Sequence, residues 1–336
     1  MPAARARGLA VARALARAGV ACSLRPCVPS VYGDTALPRP LRTWRPLFYP
    51  AALVSRLLHL RDLRHDDLIL FQRPMFEWPW IGLERLAARG RKSIFDFDDA
   101  IYLNKFGRSK LRHLVARVDH VVAGNRILAA AAGAPEKTTV IPTAIDTDRF
   151  PYLPPRPVSG AQVVVGWTGT SGNYHQLASA QEGILRALRR TGARFLVICD
   201  RPPPRELAGL RPEFVPWRAE REAEDLGRID IGVMPLPDTP YARGKCAYKL
   251  LQYMALGRPG VASPVGANLE VVADGVDGFL ASSDEEWEER LVELIADADL
   301  RARAGKLARA RVEAAYAIAA LVPRYLEIIR RLGLST

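Results

Sequence analysis

Short apolar runs alternate with helix-length amphipathic stretches along almost the whole chain, and no other feature narrows the fold as much. In the first half, Asp67–Gln72, Ser93–Phe97, Asp119–Ala123 and Val140-Ile141 read as buried strands. Between them Trp80–Arg89, Leu111–Val118 and a stretch starting at Asn125 read as helices, Gly90 capping the first. The pattern pauses at Pro151, Pro154, Pro155 and Pro157, the best linker in the sequence, and then resumes. Strands are expected at Val163–Trp167, Arg194–Cys199, Phe214–Trp217, Ile229–Met234, Val261–Ser263 and Gly278–Ala281. Helices are expected up to about Arg190 and at Glu220–Leu226, Lys245–Ala255, Glu285–Ala296, Leu300–Ala315 and Ile318–Leu332, the last started or kinked by Pro323. Alternation with short connections implies parallel sheets with helices on both faces. The expected architecture is α/β: two doubly wound, Rossmann-like domains with ligand bound in the cleft between them.

At 336 residues the chain is long enough for two such domains. It has no uncharged apolar run of membrane-spanning length. Its Ala/Arg-rich start reads as a helix within a domain and not as a signal peptide, which predicts a cytoplasmic protein. The net charge of +12 favours anionic partners, though a basic balance also follows from base composition alone. The arginines are scattered and no basic block is interleaved with aromatics, so nucleic acid is not indicated. Cys22, Cys27, Cys199 and Cys246 lack paired zinc spacing and read as reduced thiols. Leu53–Leu63, with Arg56, His59 and Arg61 among leucines, is either a core helix or a peripheral contact with the acidic inner face of a membrane.

The block Ile231–Leu280 carries the most chemistry. A strand ends at Met234, and a loop brings Arg243, Gly244 and Lys245 to a helix start. Lys245 and Lys249, four apart, are expected on one face of that helix, with Leu250, Leu251 and Met254 facing the core. Free N–H groups and dipole already attract anions to a helix start, so three cations there suit a diphosphate. The competing reading is a solvated basic helix start. The loop Trp167–Gln176 (WTGTSGNYHQ) follows the first strand of the second half; Gly169 and Gly172 permit close backbone approach, and Thr170 and Ser171 offer hydroxyls. An ordinary turn has the same composition.

The ensemble resembles the retaining glycosyltransferases of family 4, the group 1 glycosyl transferases. LLQYMALGRPGVAS (250–263), VVADGVDGFL (271–280), VIPTAIDTDRF (140–150) and SIFDFDDAIY (93–102) occur in the order and spacing of that family's motifs. The resemblance implies a GT-B fold, a UDP- or GDP-linked sugar as donor substrate, no required metal or cofactor, and transfer of a hexose with retention to a glycan, lipid-linked or small-molecule hydroxyl. It implies an acceptor-side domain over residues 1–152, a donor domain over 156–317, and a last helix (318–336) packing back on the first.

Several positions depart from the family pattern. Of its paired glutamates, the ribose-binding one falls on Gln252, a neutral group that still bonds hydroxyls, and the other falls on Gly244. Glu270 is a nearby substitute carboxylate or a surface acid. The loop after Trp167 has neither of the family's diphosphate cations, which leaves that task to Arg243 and Lys245. Asp98 and Asp99 stand where many members have a histidine near the donor sugar; either one orients or deprotonates an acceptor, or both are caps. As neighbours on an extended segment, only one of them is expected to face the cleft. The chain opens inside the family's first helix, so its N-terminal strand and glycine loop are expected to be missing from the first sheet. A non-catalytic nucleotide-sugar binder is the alternative these losses favour.

Overall fold

The computed structural model describes residues 4–25, 45–75, 81–156 and 162–334. Cys27 and Pro157 lie outside them. The chain divides into two compact units, residues 1–144 with 321–336, and residues 145–320. Every expected strand lying in the described residues is found, within about two residues of its expected bounds.

In the first unit a π-helical opening, Ala4–Leu9, runs into α1 (Ala10–Arg17). Then come α2 (Arg45–Arg61), β1 (Ile69–Gln72), α3 (Gly82–Ala88), β2 (Ser93–Phe97), α4 (Gly107–Val115), β3 (His120–Ala123), α5 (Arg126–Ala132) and β4 (Thr138–Val140). The strands pair in parallel in the order β1-β2-β3-β4. Asn125 starts α5 by accepting from the Leu128 amide, and Gly133 ends it in the left-handed conformation that glycine adopts without a Cβ penalty.

β2 is buried from end to end although its fourth residue is Asp96. A buried carboxylate needs a partner. Arg7 supplies a two-pronged fork, Nε to Oδ1 at 2.6 Å and Nη2 to Oδ2 at 3.1 Å. Tyr325 donates its hydroxyl at 2.8 Å, and Arg7 Nη1 also reaches the Ile141 carbonyl. Tyr325 belongs to the last helix, α14 (Ile318–Arg331), which starts in the second unit, runs through Pro323, and from Leu321 is part of the first. A buried ion pair and a hydrogen bond therefore tie the π-helical opening, the inner strand β2 and the last helix of this unit together. The α2 face carrying Val54, Leu57 and Leu58 is exposed, whereas Arg56 is buried, the reverse of the expected core helix.

The second unit holds β5 (Val164–Thr168), α6 (Tyr174–Ala178), α7 (Gln181–Thr191), β6 (Arg194–Cys199), β7 (Glu213–Pro216), α8 (Glu222–Gly227), β8 (Ile231–Met234), α9 (Pro240–Arg243), α10 (Tyr248–Ala255), β9 (Gly260–Ala262), α11 (Asn268–Val271), β10 (Phe279–Leu280), α12 (Asp284–Ala296) and α13 (Ala298–Ala315). Its six strands are parallel in the order β10-β9-β8-β5-β6-β7. The first strand of the unit is thus central and the winding reverses beside it, between β5 and β8. That is the topological switch point, where open sheets of this type leave a crevice at the carboxyl ends of their strands. Two apolar clusters sandwich the sheet, one around Leu250, Met254 and Ile198, the other around Trp167, Ile184 and Leu291.

The division falls at Ala144/Ile145, ahead of the prolines. Ile145 exchanges backbone hydrogen bonds with Tyr316 and Ile318, Phe150 enters the second core, and Leu153 bonds the Leu256 carbonyl. Pro151, Pro154 and Pro155 accordingly lie within the second unit and do not separate the two. Among the described residues no helix is long and apolar enough to cross a membrane.

Candidate functional site

At the switch point the loop after β5 faces the start of α10. Lys249, in the first turn of α10, lays its ammonium over the Trp167 ring, 4.4 Å from the centroid. Trp167 in turn stacks on Tyr174 at 5.2 Å. Lys249 as a residue is half-buried, but its Nζ is fully enclosed and has no hydrogen-bond partner among the described residues. Burial, joined by repulsion from Lys245, pulls its pKa from 10.5 down to about 7. A buried ammonium with none of its three donors used is costly. A bound anion at this spot would satisfy it.

Gly169 lies directly against that nitrogen. A Cβ built there would come within 2.5 Å of the Trp167 ring and 3.2 Å of Lys249 Nζ. No side chain fits, so the backbone itself forms the wall beside the ammonium. The rest of the turn is fixed from below. Asp200, after β6, accepts from the Ser171 amide at 2.6 Å and its hydroxyl at 3.0 Å. Burial opposes the Asp200 charge, but these bonds hold its pKa below the ordinary value. Thr170 is exposed and accepts from Asn173 Nδ2 at 2.8 Å.

The expected trio of cations is only partly assembled. α10 begins at Tyr248, so Lys245 precedes the helix instead of sharing a face with Lys249. The helix is delayed because Ala247 takes a left-handed φ of 52°, rare for a residue with a Cβ and a known form of strain at functional sites. Lys245 lies near enough to Lys249 to repel it, and its Nζ sits 5.1 Å from the Tyr241 ring centroid. Arg243 ends α9, a separate turn capped by Thr239, and closes a bidentate pair with Asp238 at 2.6 and 2.7 Å. Its charge is already matched and lies at the surface. Gly244, where the family has a glutamate, contributes backbone alone.

Gln252 is buried and its Nε2 donates to Glu222 Oε1 at 3.1 Å. Glu270 is exposed on α11 and pairs with no cation among the described residues; its carbonyl accepts from Tyr316. Its loop does approach the site, since Gly266 packs on the Arg243 backbone so tightly that a Cβ would meet the Arg243 carbonyl at 2.5 Å.

In the first unit, Asp98 and Asp99 do not point to opposite sides. Arg73 binds both through one Nη2, at 2.9 Å to Asp98. β2 ends at Phe97, so the alternation of an extended strand no longer governs these two residues. Arg73, which follows β1, has a φ of 68°, again an unusual value for a residue with a side chain. Sequence reasoning missed Arg73, and its only signal was an arginine directly after a strand. It missed Asp200 and Glu222 as well; each follows a strand's carboxyl end.

Residues 162–297 match the family described as Glycosyl transferases group 1. These residues resemble a group 1 glycosyltransferase domain. The switch-point site of this domain lies wholly within the matched residues. The fold, α/β with two parallel sheets, is that of the GT-B glycosyltransferases. It is similar to HepE of Anabaena, solved in complex with UDP and glucose, at a TM-score of 0.64 and 17% identity over 82% of this chain and 81% of that one. Sucrose-phosphate synthase of Thermosynechococcus elongatus is similar at a TM-score of 0.68 and 16% identity, covering 96% and 92% of the two chains. A glycosyltransferase of Rickettsia africae gives a TM-score of 0.68 at 12% identity, covering 98% and 94%. No curated protein sequence matches significantly.

Proposed function

We propose that this chain transfers a hexose from a UDP- or GDP-linked sugar to an acceptor hydroxyl of a glycan, a lipid-linked glycan or a small molecule, with retention of configuration. The observation carrying this reading is the enclosed, unpartnered Lys249 ammonium beneath the side-chain-free Gly169 turn at the switch point. The donor's diphosphate would meet Lys249, the Gly169 backbone and Lys245, with Gly244 allowing close approach. As the glycosidic bond breaks, negative charge grows on the leaving diphosphate, and a cation already in place stabilises it without reorganisation. Enclosure strengthens this by keeping water, and so screening, away from the ammonium. No resident metal or cofactor is needed in this scheme. Asp98 and Asp99, fixed by Arg73, are read as orienting an acceptor and not as a free base, since both are already ion-paired. The nucleotide found with HepE supports UDP as the first donor to try.

A non-catalytic nucleotide-sugar binder is the second reading, favoured by the absence of a carboxylate at Gly244 and Gln252. Isothermal titration with UDP and GDP, followed by a labelled-sugar transfer assay, separates the two. Binding with transfer supports the enzyme, binding without transfer at any acceptor supports the binder, and no binding refutes both.

The same reading includes peripheral contact with an acidic membrane. Val54, Leu57 and Leu58 share one exposed helix face, and Arg85, Arg89 and Arg117 line a groove beside exposed Leu86. Sedimentation with phosphatidylglycerol vesicles, lost on Leu57→Glu/Leu58→Glu and absent with phosphatidylcholine, is the expected result.

A further inference from the structure

Gln252 and Lys249 are three residues apart on α10 and so share a face. The family resemblance puts the donor's ribose at Gln252, next along this face from the diphosphate proposed at Lys249. What Gln252 offers that ring depends on which way its amide is turned. Glu222 decides this. Its carboxylate is buried and paired with Arg149, Nη2 to Oε2 at 2.6 Å. Its Oε1 accepts from Trp217 Nε1 at 3.1 Å and from Gln252 Nε2 at 3.1 Å. An ionised carboxylate only accepts, so the Gln252 NH2 must face it. No hydrogen bond to the Gln252 carbonyl oxygen is found among the described residues, which leaves it as the acceptor for a ligand. A glutamate at 252 would put two carboxylates against each other in a buried place, which explains in physical terms why a neutral residue stands there.

We infer that Glu222 is a positioning residue for nucleoside recognition, locking the Gln252 amide so that its Oε1 accepts from the ribose hydroxyls of the donor. The inference rests on the nucleotide-sugar reading above. Arg149 and Gln252 lie 73 and 30 residues from Glu222, so the lock is tertiary, and it makes an amide act as a pure acceptor in place of a carboxylate.

The test is calorimetric titration of UDP, GDP and their 2′,3′-dideoxy counterparts. The wild type is expected to bind the better ribonucleotide about tenfold more tightly than its dideoxy form, the worth of roughly one lost hydrogen bond. Glu222→Gln frees the amide to turn and should cut that preference below about threefold. Its affinity for inorganic pyrophosphate, a probe of the proposed diphosphate site at Lys249, Lys245 and the Gly169 backbone, should not change, a split that general loss of structure would not give. The double variant Glu222→Gln/Gln252→Glu restores a donor facing an acceptor and should regain the preference. It also serves as the test if the single variant does not fold. Equal wild-type binding of ribo- and dideoxynucleotide overturns this inference alone. So does an undiminished preference in Glu222→Gln, or a double variant that folds without regaining it. Wild-type protein that binds neither UDP nor GDP overturns the nucleotide-sugar reading as well.

Discussion

Lys249→Met in the absence of ligand should stabilise the second unit, and by an amount that depends on pH. The ammonium titrates at about 7 in the folded protein against 10.5 for a free lysine. The folded pKa is the lower one, so between these values the unfolded chain binds more protons, and stability rises with pH across that window. The wild type therefore carries its full deficit below pH 7 and sheds it as the pH climbs toward 10.5. With 1.36 kcal/mol per unit, the deficit is about 4 kcal/mol at pH 7 and about 2 kcal/mol at pH 9. Methionine has no charge to bury and fills similar volume, so its advantage over the wild type should shrink by about 2 kcal/mol between the two pH values. Urea unfolding of both proteins at pH 7 and pH 9 measures this, and subtracting the variant from the wild type cancels every other titrating group. Binding supplies the reverse effect. If the bound ammonium is protonated, half the sites are ready at pH 7 and about one in a hundred at pH 9, so UDP or pyrophosphate should bind roughly 50-fold more weakly at pH 9. A stability difference that is constant with pH, or one that grows with pH, would refute the claim that this ammonium is enclosed and unpaired.

Three further outcomes are expected. Gly169→Ala drives a methyl into the Trp167 ring and toward Lys249, so nucleotide affinity should fall about tenfold by calorimetry, and the melting temperature should fall as well because the fully buried Trp167 must shift. Arg243→Ala should change nucleotide affinity less than about threefold, because Asp238 already neutralises it at the surface; a collapse of binding would mean that the fork swings onto the ligand. Arg7→Met leaves Asp96 buried with only Tyr325, and should cost the first unit about 3–5 kcal/mol by denaturant titration, much of it recovered in Arg7→Met/Asp96→Leu.

Apolar periodicity and glycine and proline punctuation fixed the elements, since both act over a few residues. The ten strands of the described residues and the capping of α5 by Asn125 follow from such local signals. So does the parallel architecture, because short strand–helix connections allow little else. The motifs near Lys249 and Gly169 point to the loop and helix on which the proposed site is argued. What each side chain does there was decided elsewhere in the chain. Whether Arg243 is free depends on Asp238, whether Gln252 donates or accepts depends on Glu222, and whether Asp98 and Asp99 diverge depends on Arg73, 25 residues away. Lys249 reads in sequence as one of three cations at a helix start, and only the Trp167 ring and the Gly169 turn make its ammonium a buried one. Local pattern sets backbone conformation through nearest-neighbour sterics and burial. Charge state and hydrogen-bond direction depend on dielectric surroundings and partners that only the folded chain brings together.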